Sequence, residues 1–379
     1  MNIEIDSKEE KELREGLTAK SDADAKRMTR FLEMPDLTRQ GESPIADLIQ
    51  RILKIPSLNG FDTIKIPEIV PADISFDLFN FPPDHPARST SDTYYADKNN
   101  ILRTHTTVMW YYHLANPAVK EKMAKKEPVG AICYGKVYRK DEIDRRHMNV
   151  FHQIDGWYLA PKSQKIITID DLKQVLSEIA MAVFGQDIEF RFNIDSFPYT
   201  DPSVEMEIKK TDGTWVEVLG SGVVRPVVLK NFGVDTEEYN GWAFGFGLER
   251  LAIISMDLPD IRLLWSEDER VRRQLKLGNK YTDVSKYPPI TRDVSFVVGK
   301  DFVPNNYFDL IRDIGGDLVE EVQLLDKYED AKKFGENRAS YTYRIIYRSN
   351  DRTLVSSEVD VIQDKIYRQT AEQFSAELR

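Results

Sequence analysis

The sequence predicts an α+β protein in which an antiparallel sheet flanked by helices is followed by a smaller unit with its own sheet. Alternating strands concentrate in the middle of the chain, and the segment after residue 278 has a separate order of strands and helices. The length of 379 residues also exceeds one ordinary core, since about 150 residues per domain is a useful prior. We therefore expect a helical appendage at residues 1–40, a central domain at 41–278 and a C-terminal domain at 279–379.

Composition is that of an ordinary globular protein. Hydrophobic residues make up 41% of the chain and charged residues 30%, and no apolar run approaches the ~20 residues that a membrane span needs. Residues 1–15 are acidic and have the features of neither a signal peptide nor a transit peptide. We expect a cytoplasmic protein with no membrane association, or a protein of the mitochondrial matrix if a transit peptide has been removed.

The scarcity of cysteine and of positive charge argues against two classes of protein. The single cysteine, Cys133, cannot form an internal disulfide, and the five histidines are too few to complete a zinc site around it. The net charge of −11 argues against a broad electrostatic grip on nucleic acid, which usually requires a basic domain. Any RNA binding must therefore use local patches.

Local patterns predict the elements of the central domain. Pro44 opens an amphipathic helix whose apolar residues recur at helical spacing through residue 53. Thr168 and Asp171 form a capping box before another helix, which Gly185 ends. Apolar and polar residues alternate at residues 188–194 and 204–208, and a turn leads into a further strand at 215–219. Adjacent strands of this kind indicate an antiparallel sheet.

After a polar stretch at residues 276–286, the C-terminal segment has a pattern of its own. Residues 294–298 predict a strand, residues 307–314 a helix, and two glycines a break before further strands. In one of these strands Tyr341, Tyr343 and Tyr347 share a face, and a final helix runs over residues 358–377. The order βαββα predicts a small ferredoxin-like domain.

A first group of residues that could carry chemistry spans positions 135–157. Two strands flank a polar loop at residues 140–149, with Arg139 at the end of the first strand and Arg145, Arg146 and His147 in the loop. Such a hairpin would hold Arg139 rigidly, and planar guanidinium groups suit phosphate oxygens. The alternative is a solvated basic loop, which the charge pattern alone favours.

A second group spans residues 241–250, where glycines precede Arg250 and an apolar helix. Glycines at a strand-to-helix junction let the backbone approach a ligand, and an arginine in the first helical turn adds to the positive end of the helix dipole. The spacing matches neither the dinucleotide-binding fingerprint nor a P-loop. By itself, the segment is better explained by tight packing of a helix on a sheet.

Together, the two groups resemble motifs 2 and 3 of class II aminoacyl-tRNA synthetases, and more narrowly those of phenylalanyl-tRNA synthetases. Four further segments resemble the same family: FPPDHPAR at 81–88, LRTHTT at 102–107, FPYTDP at 197–202 and PDIR at 259–262. The resemblance covers nearly the whole chain beyond residue 35. The segment from residue 286 onward resembles the fused anticodon-binding domain of the single-chain, organelle-type enzymes.

The resemblance implies a class II synthetase sheet with an ATP site built by both motifs. Arg139 would meet the α-phosphate, Phe151 would stack on adenine and Arg250 would contact the nucleotide from the other side, so the two arginines are the implied catalytic residues. The set implied for ATP is Arg139, Glu142, His147, Phe151, Glu217, Gly247 and Arg250. Magnesium is the implied cofactor, with Glu217 as its protein ligand.

The resemblance also implies a phenylalanine pocket with a polar end and an aromatic end. A buried ammonium group needs a carboxylate and hydrogen-bond acceptors, and these would come from His105, Thr107, Gln153 and Asp155. The ring would be held by Phe197, Tyr199, Ala243 and Gly245.

Three of these positions depart from the residues usual in the family. Asp155 stands in place of a glutamate, Thr107 in place of a serine and Tyr199 in place of a phenylalanine. The departures cluster on the amino acid and not on ATP. We expect small compensating shifts that leave phenylalanine as the substrate.

For the C-terminal domain, the residues implied to bind tRNA are Arg338, Arg344, Arg348 and Arg352. The neighbouring tyrosines would stack on unpaired bases, as single-stranded RNA requires. Because the tyrosines alternate with arginines, the alternative is that their face belongs to the core.

The implied function is phenylalanine–tRNA ligation. Phenylalanine and ATP would form phenylalanyl-adenylate and pyrophosphate, and the acyl group would pass to tRNA(Phe), with a monomer as the expected assembly. One alternative is a paralogue that adenylates a different aromatic amino acid or serves a non-tRNA acceptor, and the C-terminal domain argues against the non-tRNA acceptor. Another is a regulatory binder without turnover, against which Arg139, Phe151 and Arg250 argue.

Overall fold

The computed structural model describes residues 1–210, 212–284 and 287–379. The chain forms two compact units, and neither is continuous in sequence. Unit 1 comprises Met1–Arg139, Val150–Leu258 and Leu275–Lys280, and unit 2 comprises Lys140–Asn149, Pro259–Gln274 and Tyr281–Arg379. The last two residues of the polar stretch predicted at 276–286 lie outside the described residues.

Unit 1 is built on a large mixed sheet. The strands of this unit are β1 (Asn2–Glu4), β2 (Asp62–Lys65), β3 (Ile69–Pro71), β4 (Asn100–Leu102), β5 (Val129–Tyr138), β6 (Val150–Pro161), β7 (Phe190–Phe197), β8 (Thr200–Lys209), β9 (Trp215–Val224) and β10 (Tyr239–Gly247). The order in the sheet is β1-β2-β5-β6-β10-β9-β8-β7, and β3 pairs separately with β4. The pairs β1–β2 and β2–β5 are parallel and the remaining pairs are antiparallel.

Helices flank this sheet, which confirms the predicted α+β class. They are α1 (Lys8–Ala19), α2 (Ala23–Glu33), α3 (Pro44–Ile52), α4 (Ala72–Phe76), α5 (Met109–Ala115), α6 (Pro117–Ala124), α7 (Ile169–Phe184), α8 (Pro226–Asn231) and α9 (Leu248–Met256). The two predicted helices are present as α3 and α7. Ser43 caps α3 ahead of its first-turn proline, and Thr168 and Asp171 form the expected capping box of α7.

The sheet was predicted to be antiparallel, but two of its pairs, β1–β2 and β2–β5, are parallel. The predicted alternation of buried residues holds on β8 but not throughout β7. Val204, Met206 and Ile208 are buried along β8, as their alternation requires. On β7, however, Ile194 is 94% exposed, although the alternation predicts a half-buried side chain. β7 is the last strand of the sheet and has a neighbouring strand on one side only.

The register of the central strands sets which side chains share a face. Gln153 of β6 lies opposite Gly247 of β10, and Asp155 lies opposite Gly245. Because side chains alternate along a strand, Phe151, Gln153 and Asp155 project from one face of the sheet, which we call the front face. The residues between them project from the back face.

Residues 1–40 belong to unit 1. Strand β1 extends the sheet at its β2 edge, pairing over Asn2–Glu4. The buried ammonium of Lys136 on β5 donates to the main-chain carbonyls of Leu32 and Met34, each at 2.8 Å, just at and after the end of α2. This N-terminal segment therefore packs against a central strand.

Unit 2 has the predicted βαββα order. Its elements are α10 (Glu269–Arg272), β11 (Ile290–Gly299), α11 (Pro304–Gly315), β12 (Val319–Tyr328), α12 (Ala331–Phe334), β13 (Arg338–Tyr347), α13 (Ser356–Phe374) and β14 (Glu377–Leu378). The sheet order is β12-β13-β11-β14, with antiparallel pairing. Across the described residues of both units, no helix combines the length and apolar character that crossing a membrane would require.

Candidate active site

The front face has a floor of small residues on β9 and β10. In the register, Gly220 lies opposite Gly245, and Gly222 opposite Ala243. A Cβ atom on Gly245 would fall 2.2 Å from Oδ1 of Asp155, and one on Gly220 would fall 2.6 Å from a ring atom of Phe197. A larger residue at either position would clash, because the side chains of Asp155 and Phe197 pack directly against these glycines.

Ala243, Gly245 and Gly247 were predicted for this site, whereas Gly220 and Gly222 were missed. Their signal in the sequence is glycine at every second position of a strand, which places both on one face. Only the register shows that this face continues the floor of β10.

Asp155 is a buried carboxylate at the polar end of the site, only 2% exposed. The hydroxyl of Thr107 donates to Oδ1 at 2.7 Å, and the hydroxyl of Thr106 donates to Oδ2. Burial raises the pKa of Asp155 to about 6, although the two threonine hydroxyls and the charge of Arg139 oppose this shift. Among the described residues, no cationic side chain forms an ion pair with this carboxylate, so the site suits an incoming cation.

Thr106 was not among the predicted residues. The sequence gives two consecutive threonines after His105, and only the local 3₁₀ turn over Thr106–Val108 shows that both hydroxyls reach Asp155.

Two acceptor atoms near the predicted ammonium site have no hydrogen-bond partner among the described residues. Oε1 of Gln153, two residues before Asp155 on the front face, is buried and unpaired. His105 donates from Nε2 to the carbonyl of Ser75 at 3.1 Å, which leaves Nδ1 as a buried, unpaired acceptor. Burial and the charge of Arg139 lower the pKa of His105 to about 3, so its ring is neutral. An ammonium group needs acceptors of this kind.

Aromatic side chains form a wall beside the polar end. Phe197 and Tyr199 stack with ring centroids 5.7 Å apart, and Phe79 meets Tyr199 edge to face at 6.4 Å and His105 at 5.5 Å. Phe81 lies 6.1 Å from Tyr199. Phe79 and Phe81 were not predicted as lining residues, because their contacts with Tyr199 join segments more than a hundred residues apart.

The motif 2 arginine and phenylalanine lie together. Arg139 directly follows β5, and its Nε donates to the carbonyl of Thr104 at 2.9 Å. Its guanidinium carbon is 5.3 Å from the centroid of the Phe151 ring. That ring in turn lies over Gly247, where a Cβ atom would be 3.9 Å away. The guanidinium and the ring are therefore placed for a cation–π contact.

Arg250 stands in the first turn of α9, with its side chain half exposed. Its Nη1 donates to the main-chain carbonyl of Glu217 at 3.3 Å and lies 3.5 Å from the carboxylate of the same residue. The predicted metal ligand is thus beside an arginine. The described part of the chain contains no group of three or more His, Cys, Asp or Glu side chains placed to hold a metal ion.

Glu142 and His147, also predicted for ATP, lie in the loop at residues 140–149, which belongs to unit 2. His147 lies 2.8 Å from Asp144, and this hydrogen bond raises the pKa of His147. Arg312 donates to the main-chain carbonyl of Glu142 at 2.6 Å, and Ile143 is buried in the core of unit 2. The loop is therefore anchored in unit 2 by Ile143, whereas Arg145 and Arg146 are exposed.

The four arginines predicted to bind tRNA each hold a carboxylate. The pairs are Arg338–Glu377 at 3.1 Å, Arg344–Asp293 at 2.8 Å, Arg348–Glu320 at 2.7 Å and Arg352–Glu358 at 2.6 Å.

The interpretation of the neighbouring tyrosines as stacking platforms was wrong. Tyr341, Tyr343 and Tyr347 are at most 8% exposed and belong to the core of unit 2, which was the alternative left open by the sequence. An exposed aromatic ring lies instead at the end of β12, where Tyr328 is 47% exposed and meets Phe334 edge to face.

The hairpin with its terminal arginine, the glycine-floored strand and the arginine at the start of α9 define the catalytic core of a class II aminoacyl-tRNA synthetase. The chain matches the family described as tRNA synthetases class II core domain (F) over residues 30–275. It matches the ferredoxin-fold anticodon binding domain over residues 285–379.

Curated relatives narrow this class. The phenylalanine–tRNA ligase of Arabidopsis thaliana chloroplasts and mitochondria is 39% identical over 333 residues, covering 85% of this chain and 74% of the relative. The mitochondrial ligase of Mus musculus is 35% identical, covering 83% and 74%. That of Saccharomyces cerevisiae is 32% identical, covering 88% and 87%. The chain belongs to the phenylalanine–tRNA ligase family.

Proposed function

We propose that this protein activates phenylalanine with ATP and transfers it to tRNA(Phe). The observation that carries the proposal is the buried Asp155 carboxylate, which lies on a glycine floor and has hydroxyl donors but no cationic partner among the described residues. A buried carboxylate of this kind gains most from a ligand that brings its own positive charge. The unpaired acceptors of His105 and Gln153 suit the remaining hydrogens of an ammonium group.

The aromatic wall supports phenylalanine as the amino acid. Rings meeting edge to face at 5 to 7 Å, as Phe79 and Tyr199 do, offer the geometry in which another ring packs favourably. The floor residue Ala243 and the aromatic pair Phe197–Tyr199 limit the size of the side chain that fits. Thr106 gives the shorter Asp155 a second hydroxyl partner, which supports compensation for the missing methylene.

On the nucleotide side, adenine would stack on Phe151, and Arg139 would contact the α-phosphate. The carboxylate of phenylalanine attacks that phosphorus in line and pyrophosphate leaves, so negative charge must be stabilised by fixed positive groups. Arg139 and Arg250 supply them. We also propose Glu142 and His147 as contacts of the triphosphate.

Magnesium would neutralise part of the triphosphate charge. A magnesium ion commonly takes one or two carboxylates and fills its other positions with phosphate oxygens and water, so a single half-exposed carboxylate fits its needs. Glu217 is the residue that we propose for this role.

We propose that the C-terminal domain at 279–379 binds the anticodon of tRNA(Phe). The catalytic domain would span residues 41–278, with the appendage at 1–40 before it. We also propose that the protein is a monomer. Arg338, Arg344, Arg348 and Arg352 stay candidates for phosphate contacts, although each would have to leave or share its carboxylate. The exposed ring of Tyr328 adds a candidate for base stacking. Several relatives are named as mitochondrial proteins, which supports the matrix alternative over the cytoplasmic prediction.

The function is tested by phenylalanine-dependent exchange of pyrophosphate into ATP. Each of the twenty amino acids and meta-tyrosine is assayed alone, and charging of tRNA(Phe) is measured with the best substrate. We expect phenylalanine to have the highest kcat/KM. A higher value for tyrosine, meta-tyrosine or leucine would contradict the proposed substrate, and exchange without tRNA charging would contradict the proposed acceptor.

A further inference from the structure

A buried histidine–carboxylate pair behind the proposed ATP site connects β6, which carries Phe151, with α9, which carries Arg250. His152 lies between Phe151 and Gln153 on β6, and none of its surface is exposed. Its main-chain N–H donates to both carboxylate oxygens of Glu249, at 2.9 and 2.8 Å, and its Nδ1 lies 2.6 Å from Oε1. Glu249 is 2% exposed and immediately precedes Arg250 in α9.

The partners of His152 fix its tautomer. The main-chain N–H of Leu37 donates to Nε2 at 3.0 Å, so Nε2 carries the lone pair and Nδ1 carries the proton. Nδ1–H therefore donates to Glu249. The positive end of α9 also favours the charge of Glu249. Asp36, whose carboxylate is 3.6 Å from Nε2, adds no donor to the pair.

We propose that His152 and Glu249 are positioning residues for adenylate formation, which presupposes the function proposed above. His152 belongs to the strand that carries Phe151, and Glu249 belongs to the helical turn that carries Arg250. The three hydrogen bonds between them fix the strand and the helix relative to each other. A displacement of about 1 Å in a catalytic group can cost on the order of 100-fold in rate, so this link bears on kcat.

The same unit contains a second buried histidine–carboxylate pair that serves as a matched control. Nε2 of His113 lies 3.0 Å from the carboxylate of Asp62, and the two residues are 0% and 1% exposed. Neither is adjacent in sequence to a proposed site residue. If both buried pairs only stabilise the fold, disrupting either pair should change Tm and kcat to a similar extent.

Two substitutions distinguish the side-chain hydrogen bond of His152 to Glu249 from its hydrogen bond to Leu37. In His152→Asn, the amide can present a donor near the position of Nδ1 and keep the bond to Glu249. In His152→Gln, the amide can present an acceptor near the position of Nε2 and keep the bond to Leu37, while the side-chain bond to Glu249 is lost and the main-chain N–H of residue 152 still donates to Glu249. If positioning depends on the side-chain bond to Glu249, the glutamine variant loses it and the asparagine variant keeps it.

The experiment measures kcat and KM for phenylalanine-dependent ATP–pyrophosphate exchange, together with Tm, in the full chain. We expect His152→Gln to lower kcat about 30-fold and His152→Asn less than about fivefold, with little change in the KM for phenylalanine. Glu249→Gln should also weaken the link, because an amide keeps one acceptor oxygen and its NH2 group opposes a donor of His152, which uses both carboxylate oxygens, and it replaces His152→Gln if the latter does not fold. His113→Gln should lower Tm and leave kcat within about twofold of the wild type.

A double substitution tests whether the pair acts through Arg250. Added to Arg250→Ala, His152→Gln should cost less than about threefold further, because residues that act through one another are not additive. Equal kcat losses in the two His152 variants, losses that follow Tm as in His113→Gln, or multiplicative losses with Arg250→Ala would each overturn the positioning role. A wild type without phenylalanine-dependent exchange would instead overturn the proposed function.

Discussion

The front face of unit 1 and the arginine-bearing surface of unit 2 differ in whether their polar side chains have partners among the described residues. On the front face, Asp155 is buried without a cationic partner, and acceptor atoms of His105 and Gln153 are unpaired among the described residues. In unit 2, Arg338 and Arg344 of β13 and Arg348 just after it each have a carboxylate within 3.1 Å. A folded chain rarely leaves buried polar atoms unsatisfied, so the unpaired set marks a binding site more strongly than the paired one.

The sharpest test of this comparison is removal of the unpaired carboxylate. We expect Asp155→Ala to lower kcat/KM for phenylalanine about 30- to 5,000-fold, because deleting one partner of a buried charge pair costs about 2 to 5 kcal/mol. The measurement is pyrophosphate exchange at varied phenylalanine concentrations. Asp47→Ala, which removes an exposed carboxylate paired with Arg51 on α3, is the control and should be neutral. Equal activity of the two variants would contradict the assignment.

The arginine beside Phe151 should produce the next largest effect. Replacing Arg139 with alanine removes a charge placed for the transition state, so kcat should fall about 100-fold or more. Arg51→Ala, which deletes a partly exposed arginine of the same unit, provides the comparison. Exchange rates within a few-fold of each other for these two variants would remove Arg139 from the catalytic set.

The raised pKa of Asp155 predicts that kcat/KM for phenylalanine depends on pH. Ammonium binding needs the ionised carboxylate, and in the free enzyme this group has a pKa of about 6. Below that pH, kcat/KM for phenylalanine should fall about tenfold per pH unit, with no matching fall in ATP affinity. A profile that stays flat down to pH 5 would show that the carboxylate titrates lower.

The same shift predicts a stability effect with a defined sign. The folded-state pKa lies above the unfolded value of 3.8, so the folded protein binds this proton more tightly and loses stability as pH rises from about 4 to 6. At pH 7, Asp155→Asn should therefore raise the free energy of unfolding by up to about 3 kcal/mol while impairing phenylalanine activation. A destabilised Asp155→Asn protein would be the contrary result in thermal or denaturant unfolding.

The smallest effect is expected in unit 2. Because Arg344 is already paired with Asp293, Arg344→Gln should change the KM for tRNA by less than about threefold. Tyr328→Ala should weaken tRNA charging more, since stacking on one base is worth about 1 to 3 kcal/mol. A larger loss for Arg344→Gln than for Tyr328→Ala would show that the paired arginines release their carboxylates on binding RNA.

Local signals in the sequence explain why the hairpin, the strand-to-helix junction and the capped helices could be predicted. Arg139 follows a strand, and Gly247 and Arg250 span a junction, so each assignment needs only a few neighbouring residues. The pairing of Gly220 with Gly245 and the contact of Thr106 with Asp155 depend on register and on segments far apart in the chain. No local pattern encodes them.

The wrong interpretation of the tyrosines in unit 2 has the same origin. Alternation correctly placed Tyr341 and Tyr343 on one face of β13, but it does not say which face is covered by helices. It also does not show that Arg344 meets Asp293, 51 residues away on the neighbouring strand. Burial and charge pairing are decided by tertiary contacts, which explains why fold class was easier to predict than the RNA-binding surface.

The discontinuity of unit 2 has a consequence for synthesis on the ribosome. The segment Lys140–Asn149 emerges long before its partners, since the main-chain carbonyl of Ile143 accepts from the N–H of Val322 and its side chain packs in a core that includes Ile345. Until the last quarter of the chain has left the exit tunnel, this isoleucine stays uncovered. The incompletely synthesised chain therefore exposes an apolar side chain that is buried in the folded protein. Exposed apolar side chains of this kind promote aggregation and can be bound by chaperones.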